Sequence, residues 1–341
     1  MLRIIFGGHS DVYVRTISLK WETGGAEVKN GYFSMLHKRL NQLRFLKNPA
    51  VFRRVLTSEV KMRLGIPTLR SLEFAVTWAC NMQCPFCYAE DLMTKPDRNK
   101  KAIELDKFRD VVSQARDLGM SHINITGGEP FVRKDLFELV ASIPKDIIIT
   151  IVTNNILLTK EKIDRLKELG VVSLQLSYGN NYEREFSLDM AKYIKDTGIE
   201  VCLSIVNIKE ERAANERAMK IAIENGFFVL FNYPMKVELD SAFYWRYRYN
   251  PIVREDNLFW AGKNRCPAGV EKLYITNDGE VMICDRIHNV FGSVYEEPLE
   301  EIWNRITKIF SKSSRPFCLL QSCVPDPDQK NRIILKPDQA S

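Results

Sequence analysis

The 341-residue chain is 45% hydrophobic and 27% charged, the balance of a globular protein large enough for more than one domain. No stretch approaches the apolar length of a membrane span, and the opening MLRIIFGG, broken by Gly7 and Gly8, is too short for a secretory signal. These features exclude a membrane-spanning protein, and the chain reads as cytoplasmic, with at most a peripheral membrane association. The net charge of +6 is unevenly spread: residues 31–70 hold nine Lys or Arg against a single acid, Glu59. Such a segment is either a solvated basic face on a helical extension or a contact for an anionic surface, a nucleic acid or an acidic partner. No nucleic-acid partner is expected.

Residues 1–70 form an extension whose first half carries no clear pattern. In YFSMLHKRLNQLRFLK, Leu36, Leu40 and Leu43 share one helical face among basic residues. Pro49 and Pro67 punctuate the remainder of the extension, so one or two short helices precede the main domain. From residue 72 six short apolar runs, LEFAV, HINIT, IIITIV, VSLQLSY, VCLSIV and FFVLF, alternate with helical patterns. Several helices end near a glycine, as C-caps do. The alternation predicts parallel βα units, and the strands read as apolar on both faces. A doubly wound open sheet and a barrel both fit. After Pro234 the alternation stops. LYITNDGEVMIC then predicts a hairpin turning at Asn277-Asp278-Gly279, and PLEEIWNRITKIF an amphipathic helix. The tail from Pro325 is polar.

Eight cysteines in a cytoplasmic chain argue against a disulfide framework. They fall into Cys80, Cys84 and Cys87; Cys202 alone; and Cys266, Cys284, Cys318 and Cys323. Cys202, in the apolar IEVCLSIV, reads as a small buried core residue. The first three sit in WACNMQCPFCYAE on the loop after strand one, at the strand edge where parallel α/β folds assemble their sites. A structural zinc site wants a fourth ligand nearby, and His122 at the start of strand two is on the wrong side. An iron–sulfur cube held by three thiolates would instead leave one iron open. Both readings stand on spacing alone.

Cys-x3-Cys-x-Phe-Cys after TWACN resembles the motif of the radical S-adenosylmethionine (SAM) superfamily, with Phe86 at its aromatic position. ITGGEPFVRKDLFEL at 125–139 resembles the family's GGEP segment, and TNN at 153–155 is similar to its TNG. The resemblance covers residues 72–234. It implies a partial (β/α)6 TIM-like barrel over 71–255 with SAM across its C-terminal edge. It also implies a [4Fe–4S] cluster on Cys80, Cys84 and Cys87, whose open iron takes the amino and carboxylate groups of SAM. One electron then releases a 5'-deoxyadenosyl radical, the cofactors carrying the difficult chemistry. Gly127 and Gly128 would admit the methionine end of SAM, Glu129 would accept from its ammonium, and Pro130, Asn154 and Ser177 would complete the site. Gly179 stands where the family often has Asp, which leaves a ribose contact to Asn180 or Asn181; Asn232 is a weaker candidate.

The last four cysteines resemble the family's auxiliary-cluster region, called SPASM when long and twitch when short. Cys-x-Ala-Gly, Asp-Gly-x-Val-x-x-Cys, Gly-x-Val and Leu-x-x-Ile-Trp are its pieces. Four cysteines match the twitch form with one [4Fe–4S] cluster, over 256–324, ahead of the tail at 325–341; a zinc ribbon is the alternative. If all four bind, substrate cannot ligate this cluster, which would then pass electrons or hold the domain together. The auxiliary domain is expected to close the SAM-binding face from below.

SAFYWRYRYN at 241–250 is either a surface for rings, sugars or lipid or a connector packing two domains. The first functional reading is oxidation of a small or conjugated metabolite, lipid-linked or anionic. Modification of a ribosomally made peptide is second, and a non-enzymatic metal-binding protein third. A flavodoxin or ferredoxin is the expected electron donor. No catalytic acid or base is assigned, although Lys236 and Glu238 follow strand six.

Overall fold

The computed structural model describes residues 48–93, 102–180, 186–232, 240–247, 250–255, 267–286 and 288–310. The helical stretch expected at 32–47 and the tail lie outside these residues. Among them, ten strands form one sheet in the order β10-β9-β8-β1-β2-β3-β4-β5-β6-β7. All six expected strands are present: β1 (Ser71–Thr77), β2 (His122–Gly127), β3 (Ile148–Thr153), β4 (Val171–Tyr178), β5 (Glu200–Val206) and β6 (Phe228–Asn232). Each pairs in parallel with the next. A doubly wound sheet reverses its strand order at a switch point, whereas here every crossover steps the same way. The order therefore decides for the partial barrel.

Between the strands run α3 (Leu105–Asp117), α4 (Leu136–Ser142), α5 (Lys160–Glu168), α6 (Leu188–Asp196) and α7 (Arg212–Asn225), preceded by α1 (Pro49–Arg63) and a single turn, α2 (Glu90–Met93). Thr159 and Ser187 cap α5 and α6 by accepting from Lys162 N and Met190 N. Gly119, Gly170, Gly198 and Gly226 follow helices with positive φ, in keeping with the sequence pattern.

The main apolar core lies on one face of the strands. Leu72, Phe74, Ile123, Ile125, Ile149, Ile151, Leu174 and Leu203 pack with the helices into a single core, each contributing about 2 kcal/mol by its burial. The alternate residues tell a different story. Glu73, Asn124, Thr150, Ser173 and Glu200 are paired in register across five strands, forming a polar layer on the inner face of the barrel. His122 Nε2 is 2.9 Å from Thr150 Oγ1, and the Ser173 hydroxyl donates to Glu200 at 3.2 Å. Arg254 clamps Glu200 through both guanidinium nitrogens and stacks on the Phe228 ring at 3.7 Å. Cys202 is buried, but by register it shares this inner face with Gln175 rather than joining the apolar core.

Two expectations for the C-terminal third are corrected. The alternation continues past Pro234 through α8 (Ser241–Tyr247) and β7 (Val253–Glu255), which pairs in parallel with β6. Most of SAFYWRYRYN is thus one more helix of the barrel wall, with Phe243 and Tyr244 buried. The expected hairpin, β8 (Lys272–Ile275) and β9 (Glu280–Met282), does turn at Asn277–Gly279. It lies beside the barrel sheet, not below it: β8 pairs in parallel with β1. β10 (Gly292–Ser293) extends the edge, and α9 (Leu299–Phe310) docks on α3, where Leu299 N donates to the Gln114 side chain.

Lys272 locks the junction through a 2.7 Å ion pair with Glu73, both side chains largely buried. Lys272→Met is expected to lower stability by about 3 kcal/mol, since it strips a buried carboxylate of its cation. A urea titration of the metal-free protein checks this, and adding Glu73→Gln should recover most of the loss.

Candidate functional site

The cysteine loop leaves β1 at Thr77 and is held by the segment leaving β2. Gly128 N donates to Thr77 O at 2.7 Å and Glu129 N to Ala79 O at 2.9 Å, so strand pairing continues past both strand ends. The two backbones run close enough to exclude a side chain. A Cβ on Gly127 would lie 2.2 Å from Thr77 O, and one on Gly128 would lie 2.3 Å from Ala79 O. Gly127 also has φ 128°. Besides the access to SAM expected of them, the two glycines let the chain hold its own cysteine loop.

Cys80, Cys84, Phe86 and Cys87 are all half-buried. Cys87 N donates to Cys84 O at 3.1 Å, closing the loop on itself. Burial pushes the Cys80 and Cys87 thiols up. Cys87 and Tyr88 pack against a second small core of Ala75, Trp78, Ala89, Leu92, Tyr274 and Met282. The Tyr88 hydroxyl meets Thr126 Oγ1 at 3.2 Å. Tyr274 and Met282 belong to the hairpin, and Cys284 comes two residues later, buried. The first cysteine group thus follows β1, and Cys284 follows β9 of the hairpin whose β8 pairs with β1.

Glu129 also has a structural role that its motif does not show. It is buried, with Oε1 accepting from Phe131 N and the Thr153 hydroxyl and Oε2 from Asn154 N, at 3.1, 2.8 and 2.7 Å. Burial raises its carboxyl despite those bonds. It staples the end of β2 to the end of β3, and buried Pro130 starts the short turn it caps. Asn154 donates its amide to Asn81 Oδ1 at 2.7 Å and accepts from Ile156 N. Asn155 adopts φ 62° where the resembled motif has glycine, and its amide reaches Ser177 O at 3.2 Å. Asparagine is among the few side chains that visit this region routinely.

Ser177 is half-buried at the end of β4 and pairs by register with Ser204, whose hydroxyl accepts from Asn232 at 2.6 Å. With Gln175 below, these residues line the mouth of the barrel. Asn180 is exposed just past β4, where its N–H donates to Glu211 and its side-chain amide to Glu210 O. Asn181, Lys236, Glu238, Cys266, Cys318 and Cys323 lie outside the described residues. Sequence reasoning missed Asn81, Thr153, Gln175 and Ser204, although the last two were readable from strand alternation.

The donors suit an iron–sulfur cluster with one open iron. The loop offers three half-buried thiols at the barrel mouth, one fewer than a closed four-ligand single-ion site would take.

Two family models match the chain: the radical SAM superfamily over residues 75–235 and the SPASM iron–sulfur cluster-binding domain over 266–323. A PqqA peptide cyclase of Bradyrhizobium diazoefficiens is 34% identical over 115 residues, covering 33% of this chain and 29% of that protein. A probable GTP 3',8-cyclase of Methanococcus vannielii is 34% identical over 135 residues, covering 39% and 42%. These matches span well under half of the relatives. The crystal structure of Streptococcus suis SuiB bound to precursor peptide SuiA shares the fold, with a TM-score of 0.56 at 18% identity over 72% of this chain and 67% of that one.

Gly128→Ala should displace the cysteine loop and cut iron uptake on anaerobic reconstitution several-fold, with circular dichroism unchanged. Asn155→Gly should load iron normally, whereas Asn155→Val should cost about 1–2 kcal/mol in thermal unfolding.

Proposed function

Because the chain belongs to the radical SAM superfamily and carries a C-terminal SPASM domain, we propose that it modifies a peptide, closing a bond within it after hydrogen abstraction. Peptide modification, second from the sequence, moves ahead of oxidation of an anionic or lipid-linked metabolite. The carrying observation is the lining of the mouth. Gln175, Ser177, Ser204 and Asn232 offer neutral donors and acceptors, while the acidic groups below them, Glu73 and Glu200, are matched by Lys272 and Arg254. Such a surface suits peptide amides better than a charged headgroup, which would need an opposing charge once desolvated. The likeness to a PqqA peptide cyclase supports the same substrate class. The likeness to a probable GTP 3',8-cyclase favours a second reading, ring closure on a nucleotide.

Cys80, Cys84 and Cys87 would hold the [4Fe–4S] cluster, which with SAM supplies a 5'-deoxyadenosyl radical. The chain's own residues do the remaining work. Asn154 ties the cysteine loop to β3 through Asn81, the residue after Cys80. Gly127 and Gly128 keep the loop against the strand ends. Ser177 stands at the edge where SAM would lie, with Gln175, Ser204 and Asn232 inward of it to bind substrate. Cys266, Cys284, Cys318 and Cys323 would hold the auxiliary iron–sulfur centre. The working division is a barrel over 71–255 and an auxiliary region over 256–324, flanked by 1–70 and 325–341. A cytoplasmic setting suits reduced thiols, and a flavodoxin or ferredoxin would be the electron donor.

Reconstituted protein with SAM and dithionite should form 5'-deoxyadenosine slowly. Short peptides encoded beside its gene should raise the rate several-fold, one of them emerging lighter by two hydrogens in mass spectra. Stimulation by GTP alone would replace this reading with the nucleotide one. Asn154→Ala should shift the electron paramagnetic resonance spectrum of the reduced SAM-binding cluster, and iron content should stay above half of the parent's.

A further inference from the structure

Helix α1 is apolar on the side that faces away from the protein. Its inner side is fixed: the Ser58 hydroxyl donates to Gly119 O at 2.7 Å, and Arg54 pairs with Asp146 at 2.7 Å while donating to Arg116 O. Phe52, Leu56 and Val60 succeed one another at four-residue spacing on the outer side, and Leu64 and Ile66 continue the ridge. All five are 38–71% exposed, and they make up five of the eleven large exposed apolar side chains among the described residues. A helix facing water carries charge on its outer face, so such a concentrated ridge marks a contact.

Charge decides which contact. Arg53, Lys61 and Arg63 flank the ridge, with Glu59 as the acid on the helix, bonded to Arg63. The preceding residues 31–47 repeat this chemistry, with Leu36, Leu40 and Leu43 among Lys38, Arg39, Arg44 and Lys47 and no acid. Placing two copies ridge to ridge would set base against base. We propose that the outer face of α1 docks on an anionic lipid surface, which takes up the apolar ridge and the flanking bases together.

The placement adds a constraint. Gly119 and Asp146 lie on the turns leading into β2 and β3, so α1 covers the floor of the barrel, whereas the cysteine loop lies at the opposite strand ends. A docked molecule holds its mouth toward the aqueous side and takes a soluble substrate. No helix among the described residues is long and apolar enough to cross a membrane, so the contact is peripheral.

Flotation of the full-length protein with phosphatidylcholine vesicles, with and without phosphatidylglycerol, tests this directly. The protein should float only with phosphatidylglycerol and be released by high salt. The double variant Leu56→Ser/Val60→Ser should stay in the soluble fraction with its melting temperature unchanged. Arg53→Ala/Lys61→Ala should need roughly tenfold more anionic lipid for half-binding, at about fivefold or less per base. Failure of the parent protein to float at low salt overturns the proposal, as does equal flotation of the serine variant. A dimer by light scattering that the serine variant dissociates, without flotation, assigns the ridge to a second copy instead. Should the serine variant melt lower, the arginine–lysine variant decides alone, equal lipid demand overturning the proposal. None of these readouts depends on the peptide reading.

Discussion

Two strand exits approach each other more closely than any side chain would allow, and the cysteine loop depends on that approach. Gly127 and Gly128 bring the backbone after β2 against Thr77 O and Ala79 O, so two backbone hydrogen bonds continue the sheet into what would otherwise be a free loop. Glu129, the next residue, carries the constraint across to β3 through Thr153 and Asn154, and Asn154 returns it to the loop at Asn81. The three thiols thus sit on a segment stapled to the exits of three strands. A centre that must meet a small cofactor in one orientation needs such support from its surroundings.

The sequence displayed the parts of this device but not all of their uses. CxxxCxΦC, GGEP and TNN are contiguous, and their spacing places them correctly at strand ends. The structural bonds of Glu129 could not be read beside its expected part at SAM, because Thr153 and Asn154 lie 24 and 25 residues away, beyond any local pattern. The polar inner layer is present as simple alternation, His122, Asn124 and Thr126 against Ile123 and Ile125. It is obscured because the β-branched Thr and neighbouring Ile and Val read as continuous strand formers. β7 escapes notice because three residues, Val253–Glu255, are too few to show a period. The pairing of β8 with β1 leaves no trace, since register between distant strands is set by tertiary packing rather than by either segment.

The same pairing explains how the two halves of the molecule meet. Lys272 and Glu73, then Arg70 and Glu271, pair across the β1–β8 boundary, and Tyr274 and Met282 complete the small core under Cys87 and Tyr88. The C-terminal hairpin is therefore part of the wall that supports the first cysteine group. Damage to the hairpin would reach Cys87 through packing as well as through any change at Cys284.

Arg70 and Glu271 are 201 residues apart in the chain, yet they join at the first strand of the barrel. During synthesis β1 emerges early and β2 soon joins one of its edges, while the other edge waits for a partner from the last quarter of the protein. Loop closure over that distance is slow, and an unpaired apolar strand is sticky in the interval. The cysteine loop shares that wait, because the core beneath it stays incomplete until the hairpin arrives. Insertion of iron and sulfur is thus a late event in this protein, belonging to the finished chain rather than to the barrel as it first forms.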